Sequence, residues 1–268
     1  MAKLNFENKW VLVTGASSGL GRAIALYLSK VEKANLIIAA RRKERLEQLK
    51  TEIESAHNTK VEIIVVDLNS DKGVDNLFKQ ACKNPGLYAV INNAGVTYYG
   101  RTTAEHLETY ERIIAVDFRA VMKSSLLFLD YFREKGAGAI LNVTSMAAFT
   151  PLPYQNVYAA AKHAAQAFTE ALYQENKDSG VVISSFAPGG IATEMNVKSG
   201  LDKKFPLDNP FNMKAEIAAR KAIKAFKKKK YLSVPGFMNK LTVFLSRFFS
   251  RKAVTLGTEI IYRPPEKN

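Results

Sequence analysis

A tyrosine and a lysine four residues apart, with a serine upstream, have the clearest potential for chemistry in this sequence. Tyr158 and Lys162 stand in a helix-favouring run, so both side chains would project from one helix face. A free tyrosine has a pKa of about 10, and a neighbouring ammonium group lowers that pKa by favouring the phenolate. Tyr158 could then exchange a proton with a carbonyl/alcohol couple, and Ser145 could hydrogen-bond the same oxygen. The same spacing also occurs on helix faces without chemistry.

A glycine-rich turn follows the first apolar run and opens a helix. It reads Thr14-Gly15-Ala16-Ser17-Ser18-Gly19-Leu20-Gly21. Glycine lets the backbone approach a pyrophosphate closely, and a helix N-terminus offers unpaired N–H groups with a partial positive charge. The spacing differs from G-x-G-x-x-G, and such a turn can also be a simple connection. Its place at the start of a βαβ unit favours a dinucleotide site.

The end of the second strand indicates which dinucleotide would bind. Sites for NAD usually carry Asp or Glu there, whereas this sequence reads Ala39-Ala40-Arg41-Arg42. Guanidinium groups pair with a 2′-phosphate through bidentate charge-assisted hydrogen bonds. We therefore predict NADP(H) rather than NAD(H). The alternative is that the two arginines merely begin the next helix as solvated charge, although cations are mildly unfavourable at a helix start.

These residues must be positioned by an alternation of short apolar strands and amphipathic helices. We predict strands at 10–13, 35–39, 61–66, 87–91, 139–143 and 181–186, and helices at 20–31, 43–55, 71–81, 103–132 and 154–177. Apolar strands joined by helical crossovers indicate a mostly parallel, doubly wound Rossmann-type α/β sheet with helices on both faces. No Ser/Gly-rich linker interrupts the chain, so we expect one domain over 1–268, with 190–230 covering the substrate.

Composition excludes several other classes of protein. The 268 residues are 47% apolar and 24% charged, which suits a globular fold rather than disorder. The single cysteine, Cys82, forbids an intrachain disulfide and suits a reducing compartment. The N-terminus lacks the apolar stretch of a signal peptide, and no run of eighteen apolar residues occurs. We therefore expect a cytoplasmic location. His57, His106 and His163 lack metal-ligand spacing, so no metal is predicted.

Together these pieces resemble the short-chain dehydrogenase/reductase family over about residues 9–195. The motifs come in the family's order: the glycine turn, Asp67, Asn92-Asn93-Ala94-Gly95, Ser145, Tyr158 with Lys162, and Pro188-Gly189-Gly190-Ile191-Ala192-Thr193. The resemblance implies hydride transfer between a nicotinamide and a carbonyl or alcohol. Tyr158 would be the acid/base, Ser145 would orient the substrate oxygen, and Lys162 would hold the nicotinamide ribose and tune Tyr158. The implied cofactor-binding residues are Gly15, Ser17, Ser18, Gly19, Leu20, Gly21, Arg41, Arg42, Asp67, Leu68, Asn93, Ala94, Gly95, Tyr158, Lys162, Pro188, Gly189, Ile191 and Thr193.

One position departs from the family pattern. Asp117 stands where the family usually has an asparagine that contributes to a water-linked proton path through Lys162. Aspartate keeps the acceptor oxygens but loses the NH₂ donor and can add a charge. We expect an ionised Asp117 to keep Lys162 protonated and to raise the pKa of Tyr158, with activity retained at a shifted pH optimum. A non-catalytic protein that senses NADP(H), or docks on a membrane surface, is the alternative.

Most of the net charge of +14 is carried by the C-terminal part. Between Asp202 and Lys252 there are fourteen Lys or Arg and three acidic residues, a difference of +11. The extension 235–268 is basic and amphipathic, and it would place Phe237, Leu241, Phe244, Leu245 and Phe248 on one helical stripe within 237–252. That stripe could contact an acidic membrane surface, cap the substrate cleft or pack on a sister subunit.

The expected partners follow from the same residues. Bulky apolar side chains near the predicted site favour a hydrophobic carbonyl or alcohol substrate: Phe149, Leu152, Tyr154, Phe205, Phe211 and Phe237. The family resemblance implies a homodimer or homotetramer. Nucleic acid is disfavoured as a partner, because the basic residues come without a recognised motif or stacking platform.

Overall fold

The computed structural model describes residues 3–210 and 212–264, and its strands form one parallel sheet in the order β3-β2-β1-β4-β5-β6-β7. The strands are β1 Trp10–Thr14, β2 Asn35–Ala40, β3 Val61–Val65, β4 Leu87–Asn92, β5 Gly138–Val143, β6 Val181–Phe186 and β7 Leu232–Ser233. Successive residues of a strand point to opposite faces. Val11 and Val13 therefore enter the core on one face and Leu12 the core on the other.

Helices cover both faces of this sheet, which confirms the predicted doubly wound fold. The helices are α1 Gly19–Glu32, α2 Lys43–Ala56, α3 Asp71–Ala81, α4 Leu107–Ile114, α5 Ala120–Glu134, α6 Asn156–Glu175, α7 Glu194–Ser199, α8 Ala215–Lys227, α9 Phe237–Leu245 and α10 Arg251–Tyr262. Apolar residues of α1, α2 and α8 fill one core, and those of α3, α5 and α6 fill the other. Because every strand runs the same way, all carboxyl ends meet at one edge.

The helix expected over 103–132 is interrupted where Asp117 stands. The chain forms α4, then a π-helical turn over Ala115–Arg119, then α5. A π-helical turn inserts one residue into the helical ladder, and such turns are frequent at functional sites. Asp117 lies fully buried on this turn.

The single stripe expected over 237–252 also breaks in two. α9 ends at Leu245, and α10 begins at Arg251 after Ser250, whose hydroxyl accepts a hydrogen bond from the N–H of Ala253 at 3.2 Å. This serine cap starts a new helix instead of continuing the old one. Phe248 therefore lies in the turn, with its ring edge-on to Phe244 at 5.0 Å. Within 3–210 and 212–264, no helix has the length and apolarity needed to cross a membrane.

Candidate active site

The site lies where the strand order reverses, between β1 and β4. There the Thr14 hydroxyl accepts hydrogen bonds from the N–H groups of Asn93 at 2.9 Å and Ala94 at 3.0 Å. The Asn93 side-chain amide donates to the Thr14 carbonyl at 2.9 Å. These bonds fix the ends of the two strands, and a cavity of about 880 Å³ opens above them. A crevice at such a switch point is the usual ligand site of open α/β sheets.

The glycine turn that follows β1 forms one wall of the cavity. Gly15 has a φ of +68°, and a Cβ there would lie 2.8 Å from the Cα of Ala94. A Cβ on Gly21 would collide with the Gly15 carbonyl oxygen. Ser18 is the N-cap of α1 without using its side chain as a cap, and the first turn of α1 carries no acidic residue. The backbone N–H groups of this turn therefore fit the pyrophosphate of a dinucleotide.

Arg42 lies at the far end of this wall, beside the glycine turn. Its guanidinium Nη2 donates to the hydroxyl oxygens of Ser17 at 3.0 Å and Ser18 at 2.8 Å. Its Nη1 donates to both carboxylate oxygens of Glu194, at 3.0 and 2.9 Å. Arg41 also lines the cavity, but its guanidinium lies 3.8 Å from the carboxylate of Asp67 and makes no hydrogen bond to the glycine turn. The two arginines are thus not equivalent, since only Arg42 reaches the glycine turn.

Glu194 is a residue that the sequence reasoning missed. It begins α7, and its carboxylate also pairs with Arg45 at 3.0 Å and Lys198 at 3.1 Å. The hydrogen bonds from Arg42, and then those from Lys198, outweigh partial burial and lower the pKa of Glu194 to about 2. Glu194 lies 152 positions from Arg42, and no local pattern marks the pairing. The Lys198 contact, at the helical i,i+4 spacing, is the part that sequence could have found.

The predicted serine, tyrosine and lysine converge at the opposite end of the cavity. Ser145 follows β5 and caps a short 3₁₀ turn over Met146–Ala148 by accepting from the N–H of Ala147 at 3.1 Å. The same hydroxyl lies close enough to Tyr158 to lower the pKa of the phenol. One turn further along α6, the Lys162 ammonium lies 5.7 Å from the centre of the Tyr158 ring and donates to the carbonyl of Val143 at 3.2 Å.

Lys162 forms a buried ion pair with Asp117. Its Nζ lies 2.9 Å from Asp117 Oδ1, and the two side chains are 4% and 0% exposed. Asp117 Oδ2 accepts from the N–H of Val96 at 2.8 Å. Burial raises the pKa of Asp117 against the opposing effect of Lys162. Burial alone would lower the pKa of Lys162, but the carboxylate of Asp117 and then Tyr158 raise it.

The pKa of Tyr158 differs from the simple expectation for a tyrosine beside a lysine. Lys162 does lower it, yet burial raises it more, and Asp117 raises it further. The net pKa of Tyr158 is therefore above the ordinary value, so the phenol is the stable form near neutral pH. The direction of the Asp117 effect agrees with the sequence analysis. The expected net lowering was wrong, because the sequence does not show how far the surrounding protein shields the partly buried Tyr158 from water.

All the predicted cofactor-binding residues line this one cavity, together with Ser145. Asp117 does not line it and contacts it through Lys162. Of the predicted bulky side chains, Leu152 and Phe205 line the cavity, whereas Phe149, Tyr154 and Phe237 do not. Phe211 lies outside the described residues. The shared lining places the residues together, and their roles remain predictions.

The C-terminal extension, whose role the sequence left open, forms another wall of the cavity. Thr258, Ile261 and Tyr262 of α10 line it, as do Asn239 and Thr242 of α9. The helix α10 is fixed by hydrogen bonds to the neighbouring loops: Tyr99 Oη donates to the Tyr262 carbonyl at 2.8 Å, Thr258 Oγ1 to the Pro151 carbonyl at 2.8 Å, and Tyr154 Oη to Glu259 Oε1 at 2.8 Å. Part of the extension therefore caps the cleft.

Comparison with known proteins matches residues 9–204 to the family model described as short chain dehydrogenase. The very-long-chain 3-oxoacyl-CoA reductase of Anas platyrhynchos is 29% identical over 203 residues, which are 74% of this chain and 65% of that protein. The chain thus aligns with slightly less than two thirds of that reductase. The NADP-dependent 3-hydroxy acid dehydrogenase of Schizosaccharomyces pombe is 30% identical over 207 residues, 76% of this chain and 80% of its own.

Solved structures give the same architecture. An alcohol dehydrogenase from the archaeon Thermococcus sibiricus, complexed with 5-hydroxy-NADP, superimposes with a TM-score of 0.74 at 27% identity. That superposition covers 85% of this chain and 96% of the archaeal one.

Proposed function

The chain belongs to the short-chain dehydrogenase/reductase family of oxidoreductases, and from that premise we propose that it reduces a hydrophobic ketone or aldehyde with NADPH. The observation that carries the proposal is the contact of Ser145 with Tyr158, with the Lys162 ammonium beside them. These three side chains line the same cavity as the glycine turn. A substrate bound in this cavity would therefore lie within reach of both a proton donor and a dinucleotide held by the glycine turn.

The residues at the glycine turn fit the nicotinamide cofactor that this family binds. The N–H groups of the turn would hold the pyrophosphate, and Lys162 would hold the nicotinamide ribose. When bound, the reduced nicotinamide supplies a hydride to the carbonyl carbon. The rest of the chemistry belongs to the protein: Ser145 donates a hydrogen bond to the carbonyl oxygen, and Tyr158 gives that oxygen its proton.

The electrostatics of Tyr158 favour the reductive direction. Reduction needs the protonated phenol, whereas oxidation of an alcohol needs the phenolate. Because burial and Asp117 raise the pKa of Tyr158, the phenol stays protonated at neutral pH. Asp117 thus supports proton donation indirectly, by keeping the positive charge of Lys162 compensated.

The preference for NADP(H) rests on Arg42. The Arg42 guanidinium already donates hydrogen bonds to the hydroxyls of Ser17 and Ser18. A 2′-phosphate on the adenosine ribose would accept hydrogen bonds from that guanidinium and from the two hydroxyls. Two similar proteins support the choice: the Schizosaccharomyces pombe dehydrogenase is NADP-dependent, and the Thermococcus sibiricus alcohol dehydrogenase was solved with 5-hydroxy-NADP.

Apolar and aromatic side chains in the cavity lining would suit an apolar substrate. Leu152, Phe205, Ile261 and Tyr262 line the cavity, and the rings of Phe205 and Tyr262 are 5.2 Å apart. Burial of apolar substrate surface there contributes roughly 25 cal/mol per Å². The segment 190–230 would cover the substrate, because residues of α7 and of the loop after it, such as Met195, Leu201 and Phe205, line the cavity.

The test is turnover. Purified protein is mixed with NADPH and a panel of hydrophobic ketones and aldehydes, and loss of the reduced-nicotinamide absorbance is followed beside Tyr158→Phe. We expect NADPH oxidation that depends on the carbonyl compound and is abolished in the variant. Asp117 in place of the usual asparagine favours the rival, a non-catalytic NADP(H) sensor. Tight NADPH binding without turnover across the panel would support that rival instead.

A further inference from the structure

The C-terminal extension carries a high concentration of exposed apolar side chains. Half of the eighteen large apolar residues that are exposed in the described chain lie between positions 237 and 261. They are 42–78% exposed: Phe237, Met238, Phe244, Leu245, Phe248, Phe249, Leu256, Ile260 and Ile261. We call these nine residues the apolar face. Single exposed apolar residues are ordinary, but a contiguous group marks an interaction site.

Among the charged residues that lie between members of the apolar face, the one carboxylate, Glu259, is already paired with Arg263 and Tyr154, and the others are basic. Between Glu216 and Glu259 the sequence contains eleven Lys or Arg and no acidic residue. Four of these cations, Lys240, Arg247, Arg251 and Lys252, alternate with the apolar face and are exposed. Over residues 3–210 and 212–264, none of the four pairs with a carboxylate. These exposed cations are therefore available to an anionic partner.

From this charge complementarity we propose that the apolar face docks on an anionic lipid bilayer, with α9 and α10 lying in the interface. Apolar side chains buried in the acyl region and cations at the headgroups are the two signals that stable peripheral attachment needs. A second copy of this chain is a poorer occupant. A symmetric pairing would bring the same unpaired cations of both copies together without a carboxylate to neutralise them.

The same two helices join this face to the cavity. Ile261 is 55% exposed and also lines the cavity, so the mouth of the cleft is continuous with the apolar face. A substrate dissolved in the bilayer could enter the cleft at this mouth without crossing water. This consequence rests on the proposed function, whereas docking itself does not.

Vesicle sedimentation tests the docking. Full-length protein is pelleted with vesicles of phosphatidylcholine alone or of equal parts phosphatidylcholine and phosphatidylglycerol, without cofactor. We expect binding to the anionic vesicles that weakens with added salt. Phe248→Ser/Phe249→Ser should reduce it by about tenfold or more, because two exposed rings of the turn are lost. Val31→Ser/Leu107→Ser removes two apolar side chains elsewhere that are 51% and 57% exposed, against 70% and 61% for the two phenylalanines, and should change nothing.

A second pair of variants separates local charge from net charge. Arg247→Gln/Lys252→Gln should weaken binding by about tenfold. Lys228→Gln/Lys230→Gln removes the same charge from the exposed end of α8 and should have a much smaller effect. If both double variants lost vesicle binding equally, binding would reflect only the net positive charge of the protein. That result would overturn the proposal.

The remaining outcomes are also distinguishable. Absence of vesicle binding, with a dimer that Phe248→Ser/Phe249→Ser dissociates in light scattering, would assign the apolar face to a second copy. Phe248 and Phe249 do not line the cavity, so the variant should still reduce a small water-soluble aldehyde. Turnover without vesicle binding would therefore overturn docking alone, and vesicle binding without turnover would overturn the enzyme assignment alone.

Discussion

The cavity has a cation–carboxylate contact at each end, and the two contacts lie in very different surroundings. At the catalytic end, Lys162 and Asp117 are buried, with side chains 4% and 0% exposed. At the cofactor end, Arg42 and Glu194 are 32% and 30% exposed and share their charge with Arg45 and Lys198. Both pairs have a nitrogen–oxygen distance of 2.9 Å, so they differ mainly in how far water reaches the charged groups.

That difference determines what each pair can do. Burying two charges costs several kcal/mol per ion, and the cost is recovered only while both partners remain. The Lys162–Asp117 pair is therefore a fixed part of the protein. Water screens the pair at the rim, where exposed ion pairs contribute about 0–1 kcal/mol. The partner of Arg42 can therefore be exchanged for an anionic ligand at little cost.

Removing one member of the buried pair should have the largest effect. Lys162→Met leaves the Asp117 carboxylate without its counter-ion, and we expect a loss of about 3–5 kcal/mol in the free energy of unfolding. Burial already raises the pKa of Asp117, so the variant escapes part of the penalty by protonating that carboxyl. The loss should therefore be larger at neutral pH than in acid. Denaturant unfolding at several pH values measures it.

The matched control is Lys162→Met/Asp117→Asn. The amide keeps an oxygen for the Val96 N–H but carries no charge. The double variant should be more stable than Lys162→Met at neutral pH. A double variant no more stable than the single one would contradict the account of the buried charge.

Removing the cation at the rim should affect cofactor choice with little effect on the fold. Arg42→Ala removes charge-assisted hydrogen bonds worth about 1.5–3 kcal/mol, so NADPH should bind roughly 10–100-fold more weakly. NADH, which lacks the 2′-phosphate, should bind nearly as before. Lys43→Ala is the control, because Lys43 is exposed, pairs with Glu47 and does not line the cavity. Equal losses for the two cofactors, measured by fluorescence titration, would remove Arg42 from the 2′-phosphate site.

Sequence reasoning predicted the two ends of the cavity unequally. Tyr158, Lys162 and Ser145 follow local patterns, since helix spacing and a strand end place them, and the structure brings them together. Arg42 is likewise placed by the end of β2. Glu194 and the C-terminal helices have no such local signal: they reach the cavity across long stretches of chain. The net pKa of Tyr158 depends on burial, which spacing does not encode.

Neutralising the carboxyl of the buried pair, with the lysine kept, should destabilise the fold, as Lys162→Met does, and should also change the pH dependence of catalysis. Asp117→Asn removes the charge that raises the pKa of Tyr158, so that pKa should fall. Reduction, which needs the phenol, should then decline at lower pH than in the natural protein. Oxidation, which needs the phenolate, should begin at lower pH. Superimposable pH–rate profiles in both directions would disprove any influence of Asp117 on Tyr158.

The smallest effect should come from Glu194, the carboxyl at the rim. Its removal should strengthen NADPH binding, whereas removal of Arg42 should weaken it. Glu194→Gln frees the Arg42 guanidinium from a bidentate partner, so NADPH should bind a few times more tightly while NADH is unchanged. If Glu194 instead holds α7 over the bound cofactor, the variant should release NADPH and NADH faster alike. Stopped-flow dissociation of the two cofactors separates these outcomes.

The same variant has a stability signature that identifies the ion pair itself. The pKa of Glu194 falls from 4.5 to about 2 on folding, so its stabilising effect is complete above about pH 4.5 and disappears as the pH falls through 2. Because the pair is partly exposed, the natural protein should exceed Glu194→Gln by about 1 kcal/mol or less at neutral pH. That margin should shrink below pH 4.5 and in high salt. A margin that stays constant with pH would mean that the side chain stabilises α7 by packing, not by charge.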